Sequence, residues 1–147
     1  MIVSAKQNGA MSFEINQDGY IFDIDAKKEV GGEGKGPSPK GLLLSGLIGC
    51  TGMDVTSILK KMRVEYADLN ITAESSYTEE HPKVFKEITL KFLFSGEVEK
   101  LDEKKIKRAI TLSQEKYCGV TEMLRKNSQI SSEIFINNEK IDFELII

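Results

Sequence analysis

The chain has one histidine, His81, and only two cysteines, Cys50 and Cys118, and that scarcity removes several familiar chemistries. A lone histidine beside Pro82 in a charged stretch cannot serve a Ser–His–acid triad, and no Cys/His spacing is present to hold zinc. Charge of one sign is also lacking: 20 basic against 23 acidic residues give a net charge of −3, with no basic half and almost no interleaving of aromatic and basic residues. Nucleic acid is therefore not an expected partner. Residues 1–10 contain no apolar core of a signal peptide, so a cytosolic protein is expected. The longest apolar run, from Leu42 to Met53, is broken by Ser45, Gly46, Gly49, Thr51 and Gly52 and closed by Asp54, too short and too interrupted to span a bilayer. No internal repeat or low-complexity segment occurs, and no cofactor is expected.

What is present fits a single domain over residues 1–147, with 40% hydrophobic and 29% charged residues. Residues 2–7, 11–17 and 20–26 read as a three-strand antiparallel meander, with Asn8-Gly9 and Asp18-Gly19 as turn dipeptides that tolerate positive φ. Phe13, Ile15, Ile21 and Ile24 alternate with polar positions; Phe22 breaks the pattern. The glycine-rich stretch from Gly31 to Pro37 reads as a flexible connector. It is not a phosphate-binding loop, because Gly36 is followed by Pro37-Ser38 rather than Lys-Ser/Thr.

Ser38-Pro39 predicts a helix start, since a serine oxygen can accept an orphan N–H and proline at the first helical position has none to lose. The helix runs to about Met62. Its first half is apolar in nearly every direction, which predicts burial on all sides, while its second half is amphipathic and ends in Lys60-Lys61-Met62-Arg63. Gly46, Gly49 and Gly52 recur every three residues, each costing about 1 kcal/mol relative to alanine. Close approach of a second helix would offset that cost; room for bulky core side chains is the other explanation. A monomer of this size buries only about two-thirds of its unfolded surface, so a helix apolar all round calls for cover from a partner chain.

Residues 66–78 and 84–95 read as a long hairpin with Glu79-Glu80-His81-Pro82 as its turn and His81 exposed. Asp102 is a good cap for a helix whose inner face carries Ile106, Ala109, Ile110, Ser113 and Tyr117. Cys118-Gly119 interrupts it, a short helix follows over residues 120–127, and residues 129–136 and 141–147 read as two strands joined at Asn137-Asn138.

This order of elements, with Gly36-Pro37-Ser38-Pro39, Gly49-Cys50-Thr51-Gly52-Met53-Asp54-Val55 and Ser113-Gln114-Glu115-Lys116-Tyr117-Cys118, resembles the osmotically inducible protein C and organic hydroperoxide resistance (OsmC/Ohr) superfamily, and most of all its YhfA-like branch. Residues 138–147 lie largely outside the match. The resemblance implies an α+β fold in which antiparallel sheets from two chains wrap two central helices as an intertwined homodimer. It also implies sites near the subunit interface and thiol-dependent reduction of organic hydroperoxides, with Cys50 as peroxidatic nucleophile, Cys118 as resolving thiol and an external dithiol as reductant.

Two cysteines in a reducing compartment make a better redox pair than a structural bridge, and a small buried hydrophobe is the competing reading of each. Cys118, at the start of a helix, is the easier thiol to ionise, whereas the apolar setting of Cys50 raises its pKa unless a cation reaches it. Superfamily peroxidases surround the nucleophile with an arginine and a glutamate. This chain has no arginine before Arg63, and Lys40-Gly41 stands in the glutamate's place. Lys35 and Lys40 are the candidate substitutes, although a lysine cannot reproduce the arginine fork. Two functions follow: a cysteine-dependent hydroperoxide reductase, or a non-catalytic dimer that binds a small apolar or thiol-bearing ligand at the subunit interface.

Overall fold

A computed structural model describes all residues, Met1 to Ile147, and the chain divides into two compact units, Met1–Ser45 and Gly46–Ile147. In the first, strands β1 (Val3–Gln7), β2 (Ser12–Gln17) and β3 (Tyr20–Asp25) form the expected meander in the order β1-β2-β3. Asp18 and Gly19, at φ 51° and 91°, make the two-residue turn between β2 and β3 and bring Gln17 opposite Tyr20. Asn8-Gly9 does not do the same. The β1–β2 link runs through Asn8–Met11, tied by Asn8 N–H to Ser12 C=O at 3.1 Å and by Ser12 Oγ to Asn8 Oδ1 at 2.7 Å.

The glycine-rich connector is organised around a buried carboxylate. Asp25 accepts the backbone N–H groups of Ala26 at 2.8 Å, Glu33 at 2.8 Å and Lys35 at 3.1 Å. The Lys35 backbone bond leads in holding the Asp25 carboxyl below the ordinary range; burial opposes it, and the Glu33 and Ala26 bonds add to it. Gly36 is required by close approach, since a Cβ there would stand 2.0 Å from the Asp23 carbonyl oxygen.

Helix α1 spans Pro39–Lys61, and Ser38 Oγ accepts the Gly41 N–H at 3.2 Å as its first-turn cap. Leu47, Val55 and Leu59 are fully buried, worth about 1.5–3 kcal/mol each. Burial on all sides is not reached within one chain: Leu43 is 49% and Met53 74% exposed. No helix of the same chain crosses the glycine face either. Gly52 leaves room for a bulky side chain, with its missing Cβ 3.1 Å from Ile71 Cδ1, while Gly46 and Gly49 have nothing within 4 Å. By length and composition α1 could cross a membrane. Within the fold, however, its polar residues Thr51 and Asp54 hydrogen-bond to Gln114 and Ser113, which places it as a packed helix.

In the second unit, β4 (Asp68–Tyr77) and β5 (Phe85–Ser95) form the expected hairpin, with His81 exposed in its turn. Ile88, Leu90, Phe92 and Phe94 alternate onto one buried face. β6 (Gln129–Ile136) pairs with β5 in parallel, bringing Ile88 beside Ile130 and Phe92 beside Ile134. This is the one parallel pair in otherwise antiparallel sheets, and it exists because a helical crossover separates β5 from β6. The crossover comprises α2 (Glu103–Leu112), a π turn (Ser113–Tyr117) and α3 (Gly119–Leu124). Asp102 Oδ1 caps α2 by accepting the Lys105 N–H at 3.1 Å. After β6, Asn137 and Asn138 turn the chain at φ 49° and 70°, and the predicted last strand is split into β7 (Glu139–Lys140) and β8 (Leu145–Ile146), both paired with β6.

Candidate functional site

The crossover delivers Cys118 to α1. Its key is the π turn, in which the Cys118 N–H reaches back five residues to the Ser113 C=O at 2.8 Å. That wider winding buries both Ser113 and Gln114 and turns Tyr117, expected on the inner face, outward to 53% exposure. The chain then extends through Cys118, at φ −71° and ψ 103°, before entering α3.

Cys50 on α1 and Cys118 ahead of α3 are both free thiols, Cys50 partly exposed and Cys118 buried. Their sulfurs and a carboxylate oxygen of Asp54 lie within 4.8 Å of one another. Cys118 Sγ accepts the Thr121 N–H at 3.4 Å and the Thr51 hydroxyl at 3.5 Å. Gln114 fixes the direction of this network. Its Nε2 donates to Thr51 Oγ1 at 3.1 Å, and its Oε1 accepts from Thr121 Oγ1 at 3.2 Å. With its oxygen already receiving the Gln114 N–H, Thr51 directs its own proton to the sulfur. Thr51, Gln114 and Thr121 are all buried, and no buried side-chain nitrogen or oxygen lacks a partner.

The two thiols are set apart by these surroundings. Burial pushes the Cys50 thiol up, and its hydrogen bond to Cys118 and the nearby negative charge of Asp54 push it further, against a backbone hydrogen bond from Val120. Burial also pushes Cys118 up, but hydrogen bonds from Thr121, Thr51 and Cys50 outweigh it and hold that thiol below its ordinary value. α3 has only six residues, so these specific donors, more than a long helix dipole, carry the effect.

Of the residues singled out in the sequence, the structure brings Cys50 and Cys118 together. Lys35 is engaged within the N-terminal unit, its Nζ 2.6 Å from Glu33 Oε2 and 3.1 Å from the Asn8 carbonyl oxygen. Lys40 lies exposed on the first turn of α1, ahead of Cys50 along the same helix. Thr51, Asp54, Gln114 and Thr121 were not singled out as site residues. Their signal was adjacency: Thr51 follows Cys50, and Gln114 and Thr121 flank Cys118 at helical spacings.

The cysteine–carboxylate trio is also where a metal could be held. However, Cys118 already receives two hydrogen bonds and Asp54 Oδ2 accepts from Ser113 Oγ at 3.1 Å, an arrangement that describes a dithiol rather than a ligand set. Such a pair can undergo two-electron oxidation through a sulfenic acid to a disulfide. A cleft of about 380 Å³ opens beside Asp54 and is walled by Ile58, Met62, Leu112 and Tyr117, with Lys61 at its edge. The larger groove, about 740 Å³, lies between β6 and the C-terminal segment, and neither cysteine lines either cavity.

The comparisons with known proteins agree with this architecture. The family model described as OsmC-like protein matches residues 32–133. Protein YhfA of Escherichia coli K12 is 39% identical over 97 residues, covering 66% of this chain and 71% of that protein. A hypothetical protein from Aquifex aeolicus VF5 superposes with a TM-score of 0.77 at 33% identity, over 92% of this chain and 96% of that one. The organic hydroperoxide resistance protein OsmC of Legionella pneumophila shares the fold, with a TM-score of 0.70 at 21% identity over 91% and 95% of the two chains. The chain belongs to the OsmC-like protein family.

Proposed function

We propose that this protein reduces organic hydroperoxides with the Cys50/Cys118 dithiol. The observation that carries this reading is the pairing itself: two free thiols, distant in sequence, are held with their sulfurs within 4.8 Å in environments that favour ionisation of one and protonation of the other. The Cys50 sulfur attacks the terminal peroxide oxygen, the O–O bond breaks, and the alcohol leaves while Cys50 becomes a sulfenic acid. Cys118 then attacks that sulfur and water departs, leaving a disulfide for an external dithiol to reduce. A bond of about 2.05 Å requires the sulfurs to close further. Resistance to organic hydroperoxides is named for relatives of this fold, including the Legionella pneumophila protein.

The expected working form is a homodimer, supported by the uncovered Leu43 and Met53 and by the open space over Gly46 and Gly49. Free thiols fit a reducing cytoplasm. Incubation with cumene hydroperoxide and a dithiol tests the activity, with expected peroxide consumption and a Cys50–Cys118 disulfide visible by mass spectrometry. The raised Cys50 thiol beside Asp54 favours the second reading, a dimer that binds a small apolar or thiol-bearing ligand without turnover. Absence of both turnover and the bridge would decide for it.

A further inference from the structure

We propose that Cys118 is the general base that activates Cys50, so that one residue removes the proton from the attacking thiol and later resolves the product. The inference rests on the hydroperoxide reading and supplies the activation that an arginine would otherwise give.

The geometry assigns the roles. Cys118 Sγ is the acceptor of a converging set of neutral donors, the Thr121 N–H and the Thr51 hydroxyl, with Gln114 orienting the latter. A buried sulfur that accepts from two groups is arranged for the thiolate. Cys50, more exposed and with its sulfur within 4.8 Å of this acceptor, is the sulfur a peroxide can reach and the thiol placed to give up a proton to it. The other titratable group facing the pair is Asp54 on α1; the π turn contributes the neutral Ser113 and Gln114, and α3 the neutral Thr121. A carboxylate opposes formation of a second anion at Cys50, so attack is easiest when the Cys50 proton leaves as the S–O bond forms.

The steps balance. Cys50 sulfur bonds to the terminal peroxide oxygen as its proton passes to the Cys118 thiolate; the O–O bond breaks and an alkoxide leaves. Sulfur has lost two electrons and the peroxide has gained them. The alkoxide is far more basic than a thiol and takes the proton from Cys118, leaving as alcohol. Cys118 is again a thiolate, and it attacks the Cys50 sulfenic sulfur. Hydroxide departs, is protonated by solvent, and leaves the disulfide. Thr51 and Gln114 are positioning residues in this scheme.

Single-turnover oxidation of the reduced protein by cumene hydroperoxide, with dimedone trapping of the sulfenic acid at Cys50, tests the assignment. A thiol that only resolves leaves this first step intact when it is replaced. A base does not: Cys118→Ser should slow sulfenic acid formation at neutral pH by about 10²-fold, the lower end of general-base contributions. Thr51→Val keeps both thiols and should move the acidic limb of the rate–pH profile upward, with Thr51→Ser restoring it. An unchanged or faster first step in Cys118→Ser, or an unmoved limb in Thr51→Val, overturns the proposal. If the wild type itself does not react with peroxide, the hydroperoxide reading fails separately. Alkylation of Cys50 by iodoacetamide then tests the base through the same deprotonation, with slowing in Cys118→Ser expected and no slowing overturning it.

Discussion

Thr51 donates its hydroxyl proton to Cys118 Sγ at 3.5 Å, joining α1 to the start of α3 across 67 positions of sequence. Thr51 follows Cys50 directly, so one helical segment supplies both a thiol and the group that tunes its partner. The two cysteines should consequently titrate as a split pair. Absorbance of the thiolate near 240 nm against pH is expected to show two steps, one below and one above the ordinary thiol value of 9.0, with Cys118→Ala removing the lower step. A single step at the ordinary value in the wild type would contradict the split.

Gln114 holds two threonine hydroxyls in a buried site. Replacing it with leucine preserves bulk but strips one donor and one acceptor from the interior. Loss of about 1–3 kcal/mol in urea unfolding is expected, the cost of leaving buried polar groups without partners. Cys50 and Cys118 are untouched, so any accompanying rise in the lower thiol step separates tuning from folding.

Asp25 links pH to the stability of the N-terminal unit. Its folded-state pKa lies below the ordinary 3.8, led by the Lys35 backbone bond, so the ionised form stabilises the fold. That contribution is fully present above 3.8 and is lost as pH falls through the lower folded value. Asp25→Asn is expected to flatten this acid limb of urea stability. A limb of unchanged depth would place the acid sensitivity elsewhere.

The glycines of α1 offer a test of the dimer. A Cβ at Gly46 would meet nothing within 4 Å, so Gly46→Ala should stabilise the isolated helix by about 1 kcal/mol. If a partner helix packs there, the added methyl group should weaken self-association instead. Sedimentation velocity is expected to show a dimer in the wild type and a larger monomer fraction in Gly46→Ala.

Much of this architecture was legible locally. Asp18-Gly19 declared its turn by residue type, Ser38-Pro39 its helix start, and the alternation of Ile88, Leu90, Phe92 and Phe94 its strand, because each depends on backbone preference or on a single buried face. The π turn was not legible. Ser113–Tyr117 continues an amphipathic helical pattern, and only docking against Thr51 and Asp54 decides that the winding widens. Gln114 was missed for the same reason, since a glutamine on a helix is usually solvated and its partner Thr51 lies 63 positions away. The parallel pairing of β6 with β5 likewise depends on where the crossover returns, which strand composition does not encode.

Asp54 gives the sharpest electrostatic test of the site. Its charge helps keep the Cys50 proton in place, after burial and the bond to Cys118, and its Oδ2 accepts the Ser113 hydroxyl at 3.1 Å. Asp54→Asn removes the charge while an amide oxygen can still accept from Ser113, so the π turn should stay in place. The upper thiol step is then expected to move down, modestly, because the Asp54 charge ranks behind burial and the contacts with Cys118 among the causes acting on Cys50. Sulfenic acid formation at neutral pH should accelerate, because the Cys50 proton is then held less firmly and passes more easily to Cys118. An upper step that moves upward would mean that Asp54 assists ionisation of Cys50, reversing the sign assigned to it here.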